Sequence, residues 1–147
     1  MKEVLRLDHG VLTHFPAPAG WNKPALILCP GGGYEYCSIR EGAPVARAFA
    51  RDGVEAFVLE YDCTEVPLGV KPLHTLSASV AWVREHAAQL GIAADRIAVG
   101  GFSAGAHLAG IAAALCVWQV KMLRNSGDFR WKRWFPRACR VHFCGTP

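Results

Sequence analysis

The stretch RIAVGGFSAGAHLAG, Arg96–Gly110, decides the fold. Arg96–Gly101 is a short apolar run, as a strand buried on both faces would be. Ala104–Cys116, rich in small residues, follows with the composition of a closely packed helix. Between them stands Gly101-Phe102-Ser103-Ala104-Gly105, a G-x-S-x-G pattern. In a strand-to-helix setting this pattern makes a sharp turn that lifts the serine clear of the strand end. The glycines leave room for the turn and for close approach of the next helix. A serine so placed sits over a helix N-terminus, whose dipole favours developing negative charge. Ser103 is therefore the candidate nucleophile, the alternative being a structural serine in a tight turn.

Upstream, the chain alternates strand and helix, which predicts a mostly parallel α/β sheet. ALILCP (25–30) is a buried strand ended by proline and three glycines. APVARAFARDG (43–53) is a helix whose Val45 and Phe49 lie four apart, with Gly53 to stop it. VEAFVLEY (54–61) is the next strand. Leu73, Leu76, Val80, Val83, Ala87 and Leu90 recur at helical spacing, with Gly91 as the C-cap.

The triple glycine, in CPGGGYEYCS (29–38), bares backbone N–H groups that can face an anion. A phosphate-binding loop would need G-x-x-x-x-G-K-[ST], which is absent, as is a G-x-G-x-x-G dinucleotide fingerprint. A serine nucleophile needs one oxyanion donor from the residue after it and others from an earlier strand–helix loop. Ala104, with Gly32 and Gly33, stands in those places; a plain flexible turn is the alternative.

With these motifs the chain resembles the α/β-hydrolase superfamily, in the esterase/lipase branch with an HGGG-type loop, near acetyl-esterase and xylan-esterase-like members. The resemblance covers residues 1–116, and Pro30 stands where the family's loop has histidine. It implies a serine carboxylic ester hydrolase working through an acyl-enzyme, with Ser103 as nucleophile and Gly32, Gly33 and Ala104 as oxyanion donors. It also implies short-chain or acetyl esters as substrate and no cofactor. Two alternatives are a peptidase of the same fold and a non-catalytic scaffold whose basic tail binds a polyanion or partner.

That fold orders its triad serine, acid, histidine. Beyond Ser103 the sequence holds one acid, Asp128, and two histidines, His107 and His142. His107, one helical turn past the serine, is expected to pack structurally within the helix. Asp128 and His142 have the right order, but the interval holds a helix and little more. The expectation is a fragment carrying the nucleophile, with an incomplete triad and the C-terminal strands missing.

Composition marks a boundary near the same place. Residues 1–116 carry 9 Lys and Arg against 11 Asp and Glu, whereas residues 117–147 carry 7 against 1 and hold three of the five tryptophans. Residues 1–116 are expected to be the partial hydrolase domain and 117–147 a frameshifted or divergent tail. Six cysteines (29, 37, 63, 116, 139, 144) lack metal-ligand or CxxC spacing, so no metal is expected and the thiols should be reduced. No apolar run is long enough for a bilayer span, and the N-terminus does not read as a signal peptide. A cytoplasmic enzyme acting on a small ester, with no membrane and no nucleic-acid partner, is the expectation. Glu35 and Tyr36 are candidates to line its pocket.

Overall fold

The computed structural model describes residues 4–63 and 68–125, with side chains described as far as Leu115. Five strands form one mixed sheet in the order β1-β2-β4-β3-β5. They are β1 (Val4–Leu7), β2 (Gly10–Phe15), β3 (Lys23–Cys29), β4 (Glu55–Tyr61) and β5 (Ile92–Gly101). β3 runs parallel to both β4 and β5, while β2 is antiparallel to β1 and β4. Among the described residues β5 pairs only with β3 and so forms an edge.

Helices cover both faces, which is why β4 is apolar and buried along nearly its whole length. On one face lies α1 (Ala43–Arg51), packed through Ala46 and Ala50 onto Phe15, Ala56 and Val58. The helix forms where expected, but its buried stripe is displaced by one residue. Phe49 is 40% exposed, whereas Ala46 is fully buried. Alanine lets the helix axis come closer to the sheet than a Val45–Phe49 stripe would allow.

On the other face lie α2 (Lys71–Glu85), the short α3 (Ala87–Leu90) and α4 (Ala104–Asn125). Leu76, Val83, Ala87 and Leu108 join Ile27, Phe57, Leu59 and Ile97 in the larger core. Thr75 and Ser79 are buried as well. Their hydroxyls are satisfied by the carbonyls of Lys71 and Thr75, one turn back, at 2.9 and 2.8 Å. The single helix expected over 73–90 is broken at His86, whose backbone leaves the helical region at φ −95° and ψ 7°. Its ring stacks on Trp82 and bonds the Trp82 carbonyl. Gly91 caps the far end in the left-handed region, as its type requires.

α4 continues through Cys116 to Asn125, into the segment set apart by its charge. Asp128 and His142 lie outside the described residues.

Candidate functional site

The parallel strands β3, β4 and β5 end together at Cys29, Tyr61 and Gly101. Only Phe102 and Ser103 separate β5 from α4. The turn is pinned to β3 by the Phe102 N–H, which donates to the Cys29 carbonyl at 3.1 Å. Ser103 then adopts φ +47°, a left-handed conformation that a non-glycine residue rarely takes. Such a backbone costs about 1–3 kcal/mol and persists only where its surroundings enforce it. Here the enforcement is visible. A Cβ on Gly101 would stand 2.4 Å from the Cys29 carbonyl oxygen, and one on Gly105 only 2.0 Å from it. Side chains at either position would push β5 and α4 away from β3. With glycine at both, the serine is thrust out at the sheet's rim, where it is exposed.

The glycine loop begins directly against it. A Cβ on Gly31 would lie 3.0 Å from the Ser103 Cβ and 2.8 Å from the Phe102 carbonyl oxygen. Gly32, Gly33 and Tyr34 all have positive φ, at +141°, +66° and +64°. The loop closes on itself through Ser38 N–H to Gly31 O at 2.8 Å, with Glu35 N–H and Tyr36 N–H donating to Gly32 O at 3.0 and 3.3 Å. The Gly31 amide is occupied, since it donates to the Glu41 carboxylate at 2.8 Å. Among the described residues, the amides of Gly32, Gly33 and Ala104 meet no acceptor. The chain thus offers three bare N–H groups on the two segments flanking Ser103, and withholds a fourth.

Two contacts here escaped sequence reasoning. Glu41 ties down the start of the loop from ten residues away. The Tyr61 hydroxyl donates to the Pro30 carbonyl at 2.7 Å, and burial pushes its phenol well above the ordinary range. Neither partnership has a local sequence signal, because both depend on which strand ends meet.

His107 departs from expectation. It does not pack inward along α4; it is exposed, and its Nδ1 lies 3.0 Å from the Tyr34 hydroxyl, the rings meeting edge-on. Tyr34 also contacts Tyr61, so the loop's left-handed tyrosine is held between α4 and β4. Burial raises the Tyr34 phenol, with smaller contributions from Cys29 and Cys63. Glu35 and Tyr36 are exposed on the loop beside this cluster.

The described cysteines Cys29, Cys37 and Cys63 are free thiols. Burial, reinforced by Cys37, pushes Cys29 up to about 12. Burial and the neighbouring Cys63 do the same for Cys37. Among the described residues no group of three or more His, Cys, Asp or Glu side chains is arranged to hold a metal ion. No described helix is long and apolar enough to cross a membrane.

The BD-FAE family profile matches residues 13–130, and so takes in the glycine loop, the elbow and α4. The chain belongs to the BD-FAE family. It is 35% identical over 110 residues to the carboxylesterase NlhH of Mycobacterium tuberculosis, a match covering 74% of this chain and 34% of that protein. Among solved structures, the sugar hydrolase YeeB of Lactococcus lactis superposes with a TM-score of 0.71 at 28% identity, covering 76% of this chain and 46% of that one. MGS-M1, an α/β-hydrolase enzyme from a Medee basin deep-sea metagenome, gives 0.65 at 32% identity, covering 73% and 49%. The fold is that of the α/β-hydrolases. The chain spans a third of NlhH and about half of either solved structure.

Proposed function

We propose that this chain carries the nucleophile half of a serine carboxylic ester hydrolase, with Ser103 as nucleophile. The observation that supports it most is the exposed, left-handed Ser103 at φ +47°, set against Gly31 with bare amides on both sides. In the reaction, Ser103 Oγ gives up its proton to water as it attacks the ester carbonyl carbon, and the oxyanion that forms is stabilised by N–H groups of Gly32, Gly33 and Ala104. Collapse expels the alcohol and leaves an acyl-serine, which water hydrolyses. Carboxylic esters are the substrate class in keeping with the carboxylesterase relative. The Tyr34–His107 pair holds the glycine loop; with Nδ1 engaged by a phenol, His107 is a positioning residue and not the base. Asp128 and His142, the acid and histidine in the required order, lie outside the described residues and are assigned no role.

Hydrolysis of a chromogenic acetate ester tests this. The donors and binding alone leave roughly 10³-fold catalysis over water. Turnover above that level, falling back to it in Ser103→Ala while the fold survives, is the expected result. A rate unchanged by Ser103→Ala would overturn the assignment. Comparing an ester with its matched amide separates an esterase from a peptidase.

A further inference from the structure

Two thiols outside the serine site converge on one atom. Cys37 closes the glycine loop, and Cys63 stands two residues beyond the end of β4. Their sulfurs lie 3.5 and 3.4 Å from the same acceptor, the Tyr61 carbonyl oxygen. Sharing that acceptor brings the two sulfurs into the same small space at the end of β4. Both are half-buried, so a small reagent reaches them, whereas Cys29 nearby is 0% exposed.

We propose that Cys37 and Cys63 are a modification site: a dithiol that a small organic disulfide converts to an intramolecular cross-link, tying the glycine loop to β4. One thiolate attacks a sulfur of the oxidant and forms a mixed disulfide, releasing one thiolate of the reagent. The other cysteine then attacks the protein sulfur and expels the second. The protein loses two electrons and two protons, and the oxidant leaves as two thiols. Proximity makes the second step intramolecular, so the mixed disulfide does not accumulate. The tie holds Gly32 too. The Tyr36 carbonyl, one residue before Cys37, sits 2.0 Å from where a Gly32 Cβ would be, so the loop is wound tightly between them.

The rate has a defined pH sense. Burial raises both thiols; Cys37 also faces Cys29, Cys63, Glu60 and Tyr61, and Cys63 faces Cys37 and Asp62. The attacking thiolate is therefore scarce near neutrality, and the cross-linking rate climbs roughly tenfold per pH unit.

The test is to oxidise the folded, full-length chain with glutathione disulfide at about pH 7 and about pH 9 and map unreduced peptides by mass spectrometry. The expected product joins Cys37 to Cys63 with no glutathione attached, forming faster at the higher pH. In Cys63→Ser, Cys37 should instead stop as a glutathione adduct, and Cys37→Ser should do the same to Cys63. Separate glutathione adducts on both cysteines of the unsubstituted chain would overturn the proposal. So would the same spread of pairings in native buffer and in denaturant, a comparison that needs no variant to fold.

Discussion

The two ends of the parallel strands are built in opposite ways. At the carboxyl end, around Cys29, Tyr61 and Gly101, backbone atoms crowd, φ turns positive and three amides meet no acceptor among the described residues. At the amino end, the Glu55 carboxylate is 2% exposed and fully engaged. It accepts from His14 Nε2 at 2.6 Å and from the Ala17 N–H at 3.2 Å, and it pairs with Lys23. That cluster ties β2, β3 and β4 together, with the His14 ring stacked on Phe57. Strain and unpaired donors are affordable at one rim because the other rim is saturated. The division teaches where stability and chemistry reside in this fold: they share strands but not ends.

Substitutions sharpen the contrast. The largest effect is expected from Gly105→Ala, whose Cβ would meet backbone oxygen with no flexible group to yield. A loss of about 4 kcal/mol, or failure to fold, is expected in urea titration. Glu55→Gln at the opposite rim should cost about 3 kcal/mol, because Lys23 loses its buried counter-charge and the cluster its carboxylate acceptor. Near-wild-type stability for that variant would break the claim that the amino end carries the load.

Acid should act through the same carboxylate. Burial by itself pushes Glu55 up, but the hydrogen bonds from His14, Lys23 and the Ala17 amide together outweigh it, and the group ends below its ordinary 4.5. A lowered folded-state value means the stabilisation is present above the unfolded value and fades as pH falls through the folded one. Urea midpoints should therefore drop below about pH 4.5 more steeply in the unsubstituted chain than in Glu55→Gln.

Smaller effects belong to the glycine loop. Gly33→Ala places its Cβ in open space, so only the φ of +66° resists it, at about 1 kcal/mol. Tyr34→Phe removes one exposed hydrogen bond to His107 and should cost about 0.5 kcal/mol of stability. A loss as large as that of Gly105→Ala in either case would contradict the picture of a loop held by its edges.

The carboxyl end was the more legible in sequence. Gly101, Ser103 and Gly105 announce a sharp turn because steric exclusion is local, and the strand–helix order around them follows from hydrophobic runs. The amino end was invisible. His14 and Lys23 are 41 and 32 residues from Glu55, and nothing local to any of the three signals the others. β1 and β2 went unassigned because VLRL and GVLTHF are short and the first is half exposed. Their antiparallel pairing gives the sheet its mixed character. Ala46 replaced Phe49 as the buried contact because closeness of approach, not hydrophobicity alone, chose the face of α1.

The most direct test of the central claim is covalent labelling with a fluorophosphonate, followed by peptide mapping in native buffer and in urea. The account predicts one adduct, on Ser103, that forms only in the folded chain. Labelling spread over other serines, or equal labelling of Ser103 in urea, would contradict it.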